Sequence, residues 1–125
     1  NASGIAMMIE IARAIAEGPR PVRDLLFMGT TAEEMGLLGA EYFGANPTVP
    51  LDSIVAAINI DTVAIAEAGS FANMEALGAF LSGPYHKPED DLDRPLVLEG
   101  AAEDTELLIA LGRKLADPEQ YQPRR

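Results

Sequence analysis

Apolar positions recur along this chain in two rhythms. Over residues 2–17 they fall at helical spacing: Ile5, Met8, Ile9, Ala12, Ile15 and Ala16 share one predicted face, and Gly18-Pro19 closes the pattern. A short unbroken run, LLFMGT (25–30), follows Asp24 and reads as a buried strand. The helical rhythm returns in GLLGAEYFGAN (36–46), with Leu37, Leu38, Tyr42 and Phe43 as packing residues and Pro47 beyond the end. SIVAAINID (53–61), rich in β-branched residues, predicts a second buried strand.

The later pattern is less regular. SFANMEALGAFLSG (70–83) predicts a short helix running into a third strand at GAFLS (78–82), with Gly78 at the junction. Residues 84–100 are rich in proline and acids and predict a surface loop. EDTELLIALGRKLA (103–116) predicts a closing helix with a stripe of Leu107, Leu108, Leu111 and Leu115. Its acids stand in the first turn and Arg113-Lys114 in the last, the order the helix dipole favours. Residues 1–116 then form a single domain, and 117–125 a tail expected to fray.

Alternating helices and strands predict a βαβ crossover. The expected class is α/β, a three-layer αβα arrangement with a small, mostly parallel sheet covered by helices. A length of 125 residues fits one such domain. Sites in open α/β sheets lie outside the carboxyl ends of the strands. Glu33 and Glu34 follow the first strand and Asp61 ends the second, so these acids are expected at one edge, with His86 arriving after the third.

Each of these residues also has a plainer reading. Thr31-x-x-Glu34 has the form of a capping box, and acids suit a helix start in any case. Asp61 can cap a following helix, and a lone histidine in a Pro-rich loop can simply be solvated. Local sequence leaves both readings open.

Composition narrows the partners. Nine Lys+Arg against 20 Asp+Glu give a formal charge of -11, which disfavours nucleic acid and anionic membranes. Cysteine is absent, which excludes disulfides and thiolate metal sites. The most apolar stretch, IVAAINIDTVAIAEAG, carries Asn59, Asp61 and Glu67, so no membrane span is expected. The opening residues lack the basic segment of a signal peptide, and the compartment stays open.

Four stretches, taken together and in order, carry more. NASGIAMMIEIARAIA (1–16), LLFMGTTAEEMGLLGAEYF (25–43), IVAAINID (54–61) and GPYHKPEDDLD (83–93) resemble the blocks of the two-zinc exopeptidases. That family is typified by secreted bacterial leucyl aminopeptidases and also includes glutamate carboxypeptidase. The resemblance implies a zinc-dependent aminopeptidase-like hydrolase cleaving N-terminal residues from peptides. It implies Glu33 as general base, Glu34 and His86 as ligands of one zinc, Asp61 as ligand of the other, and Tyr85 beside the oxyanion. One carboxylate of the Glu-Glu pair would hold metal while its neighbour moves a proton, which gives their adjacency a purpose.

The resemblance is incomplete. The family's bridging Asp, which precedes the Asn of NASG, and its upstream His-x-Asp element have no counterpart here. The stretch between Asp61 and His86 is also shorter than the family's. The chain is therefore expected to be truncated at the N-terminus and internally shortened, binding at most one zinc, weakly. An inactive scaffold or binding module of the same family, as in transferrin receptor ectodomains, is the alternative. Family members are often secreted or periplasmic. The expected partner is a peptide substrate, and an exposed sheet edge is a possible route to a homo-oligomer.

Overall fold

The computed structural model describes residues 2–61, 78–79, 81–89, 91 and 98–123. Among these, three α-helices stand out: α1 (Ala2–Glu17), α2 (Leu38–Ala45) and α3 (Glu99–Leu115). Two 3-10 turns, Glu33–Met35 and Leu51–Ser53, punctuate the chain between them.

The core lies between α1 and α3. Met7, Ile11 and Ile15 of α1 are buried, and Leu25, Ile60, Ala101, Leu108 and Ile109 pack against them. Burying each of the three α1 side chains contributes about 1.5–3 kcal/mol. The predicted face of α1 is therefore turned: of the residues expected inside, Ile15 is buried, whereas Ile9 is 62% exposed. The reason is that α1 is apolar nearly all the way round, so spacing alone does not choose the face. The stripe of α3 turns likewise. Its inner positions are Ala101, Leu108, Ile109 and Gly112, followed by buried Ala116, while Leu107 is 65% exposed. The helix also starts earlier than its pattern, at Glu99.

Two arginines fasten the C-terminal ends of the helix pair. Arg113 of α3 donates from Nη1 to the Pro19 carbonyl at 2.8 Å and from Nη2 to the Ala14 carbonyl at 3.3 Å. Arg23 donates from Nη1 to the carbonyls of Leu115 (2.7 Å) and Tyr121 (2.9 Å), and its backbone N–H reaches Ala116 O at 2.9 Å. Helix C-termini concentrate partial negative charge and unpaired carbonyls, which these guanidiniums satisfy. Asp117 completes the corner by accepting from the backbone N–H of Glu119 and the side chain of Gln120.

The expected αβα sheet architecture is overturned. No strand or ladder forms among the described residues. Residues 25–30 and 54–60 carry no regular secondary structure, and Leu25 and Ile60 pack against the core of the helix pair. Most of each run is otherwise exposed, Leu26 at 55%, with Val55 half-buried. An unbroken apolar run was read as a strand covered on both faces, but such a run fits an extended segment laid on a helix equally well. The third strand is likewise replaced: residues 78–79 and 81–82 are helical. The helix predicted over 70–77, and residues 92–97 of the predicted loop, lie outside the described residues. The sheet edge that was to pair copies of the chain has no counterpart among the described residues. No helix there is long and apolar enough to cross a membrane.

Candidate functional site

The site begins with how the backbone carries Glu33 and Glu34. Ala32 precedes the 3-10 turn at φ 55°, Gly36 closes it at φ 96°, and Leu37 follows at φ 60°. Left-handed backbone costs a non-glycine residue about 1–2 kcal/mol, so Ala32 and Leu37 hold strain on both sides of the acid pair. Hydrogen bonds sustain it: Leu37 N–H donates to Glu33 O at 2.9 Å and Gly39 N–H to Thr31 O at 2.9 Å.

The two glycines of GLLG serve different ends. Gly36 supplies the positive φ, with open space around its Cα. Gly39 permits close approach: a Cβ there would sit 2.5 Å from Thr31 N and 2.6 Å from Thr31 O, both backbone atoms. The first turn of α2 is thus pressed onto residue 31, which fixes where the Glu33–Met35 turn stands.

The capping-box reading does not hold here. The residue that caps the turn is Ala32, and no side chain caps it. Glu34 instead reaches across the chain. Its Oε1 lies 2.9 Å from His86 Nε2 and accepts a long hydrogen bond, 3.5 Å, from the Tyr85 hydroxyl. A tight turn, closed by Lys87 N–H donating to Pro84 O at 2.8 Å, presents the Tyr85-His86 pair. His86 itself is left-handed at φ 59°, and its ring meets Tyr85 edge-on with centroids 3.9 Å apart. Strained backbone therefore occurs on both sides of the contact, the pattern typical of functional sites.

Charge gathers around the phenol. Partial desolvation of Tyr85, then the carboxylates of Glu34, Asp61 and Glu33, push its pKa above the ordinary tyrosine value. A phenol is protonated at neutral pH in any case, and this shift extends that state to higher pH. The same ordering shows which expected residues come together: Glu34, Tyr85 and His86 touch, while Glu33 and Asp61 act on the phenol by charge. Asp61 does not complete a three-donor set, and no group of three such side chains arranged for a metal ion occurs among the described residues.

The donors present suit one edge of a zinc site. Carboxylate and imidazole are both zinc ligands, and tetrahedral bonds of usual length place two ligand atoms about 3.3 Å apart. The 2.9 Å between Glu34 Oε1 and His86 Nε2 is close to that edge. The sequence offered these two as groups of metal-ligand type, and the family resemblance supplied their roles. Sequence reasoning missed Ala32 and Leu37, because nothing in an alanine or a leucine announces a left-handed backbone.

The family model for peptidase family M28 matches residues 1–87. Comparison with curated proteins and with solved structures gives no match. The matched stretch takes in α1, the strained turn, Asp61 and the Tyr85-His86 pair, and it ends one residue past His86; α3 lies outside it. By this match over most of its length, the chain belongs to peptidase family M28, whose peptidases are generally zinc-dependent.

Proposed function

We propose that the chain acts as a zinc-dependent aminopeptidase, removing N-terminal residues from peptides. The observation that carries this reading is the Glu34–His86 contact at 2.9 Å, with Tyr85 on the same carboxylate oxygen and Glu33 next to it in sequence. In this reading Glu34 and His86 hold one zinc, and Asp61 serves a second ion if one binds. The chemistry zinc supplies when bound is Lewis acidity, which makes water a better nucleophile and polarises the scissile carbonyl.

The remaining work belongs to side chains. Glu33, free of the Glu34–His86 contact, takes a proton from the attacking water as its oxygen bonds to the carbonyl carbon. The same proton passes to the departing nitrogen as the C–N bond breaks, giving a free amino acid and a shortened peptide. Tyr85, whose phenol is protonated at neutral pH, donates to the carbonyl oxygen as that atom gains charge.

Glu33→Gln tests the assignment. Metal-dependent hydrolysis of an aminoacyl anilide should fall by about 100-fold or more, the usual range for losing a general base, with zinc affinity unchanged. Undiminished turnover in that variant would remove Glu33 from the mechanism.

A further inference from the structure

Residues 25–29, LLFMG, carry no regular secondary structure, and among the described residues their backbone N–H and C=O groups have no hydrogen-bond partner. Leu25 packs on the core, but Leu26, Phe27 and Met28 are exposed. The apolar patch continues onto α1. A Cβ built on Gly29 would lie 3.6 Å from Ile5 Cδ1, and Ile5 and Ile9, one turn apart on the same side of the helix, are both exposed.

Unpaired backbone in an apolar run without proline or charge is a template for a strand from another chain. The molecule carries a net charge of -11, yet residues 25–31 contain no charged side chain. A basic partner would be held through acids, and this run offers none; an identical run meets it without repulsion at the seam. The exposed area points the same way. A folded chain of 13.3 kDa exposes about 6,500 Å², whereas this chain exposes 9559 Å². The difference, roughly 3,000 Å², exceeds the ~800 Å² that each partner covers in a standard interface.

We propose that residues 25–29 pair with the same residues of a second copy, antiparallel about Phe27, with Ile5 and Ile9 flanking the seam. A twofold axis relates the copies, so the assembly closes at a dimer. The pairing gives the free backbone groups partners and covers Leu26 and Met28. It stands apart from the hydrolase reading, because it uses none of the residues assigned to zinc, water or the peptide carbonyl.

Sedimentation of the full chain over a range of concentrations tests it. A dimer should form and should tighten with added salt. Two copies at -11 repel, and salt screens that repulsion while leaving apolar and backbone contacts in place. Hydrogen exchange should find the amides of residues 26–29 protected in the dimer and open in the dilute monomer. Met28→Lys, an exposed change that spares Leu25, should weaken the dimer about tenfold or more. Leu26→Lys, also exposed, serves in its place if Met28→Lys loses its helical circular dichroism. Leu107→Lys, at an exposed position of α3 outside the patch, should leave dimerisation unchanged. A chain that stays monomeric at every concentration, grows beyond two copies, or dimerises equally well with lysine in the run overturns the proposal. Protection of residues 26–29 already complete in the monomer overturns it too.

Discussion

Glu34 is the residue on which the site turns. One of its oxygens serves both His86 and Tyr85, which join it from a turn far along the chain. Glu34 and His86 stood out in the sequence as groups of metal-ligand type, while Tyr85 and the roles of all three came from the family resemblance. Asp61 was expected as a third metal donor in the same small volume, but its charge arrives without its carboxylate joining a three-donor set. The upward shift of Tyr85, from partial desolvation and then the neighbouring carboxylates, yields a prediction with a definite sign. A phenol whose folded pKa is raised keeps its proton longer in the folded state. Its contribution to stability is present below the ordinary tyrosine value of about 10 and is lost as pH rises through the folded value. Tyr85→Phe should remove the latest-titrating component of a UV absorbance titration and reduce the fall in stability at high pH. An unchanged titration would mean the phenol does not sense Glu34, Asp61 and Glu33. Gly39 offers a second test at this scale. Gly39→Ala places a methyl group against the Thr31 backbone, which has no rotamer to yield. The substitution should cost about 1–3 kcal/mol by overpacking, read from the denaturation midpoint, and should separate Glu34 from His86.

At the level of elements, the sequence located α1, α2 and α3, since their breakers and apolar spacing are local signals. It did not give their faces. α1 is apolar on almost every side, and its inner positions are settled by contact with Ala101, Leu108 and Ile109 of α3, information absent from any single window of sequence. The joint between the helices was equally hidden, because Arg113 reads in the sequence only as a cation suited to the last turn of its helix, and nothing there marks Arg23. Both donate to backbone carbonyls at helix ends. Arg23→Ala leaves the carbonyls of Leu115 and Tyr121 without that donor and should lower stability by about 1–2 kcal/mol, the scale for charged hydrogen bonds. A denaturation midpoint equal to that of the unmodified chain would show that the arginine is dispensable to the helix pair.

For the whole molecule, the predicted sheet is the main failure of the sequence reading. Strand pairing is a non-local property, and LLFMGT and SIVAAINID carry the composition of strands without any signal for what they pair with. Among the described residues they form no strand, and Leu25 and Ile60 pack on a helical core. The order of the chemistry survived this error. The acids still follow the first apolar run, and Glu34 meets His86 from a turn flanked by left-handed backbone at Ala32, Gly36 and Leu37, with no ladder between them. Zinc binding measured by equilibrium dialysis on the full chain, beside Glu34→Ala and His86→Ala, tests this most directly. The account predicts at most one bound equivalent, lost in both variants while each stays folded by circular dichroism; two tight equivalents, or zinc retained in either variant, would contradict it.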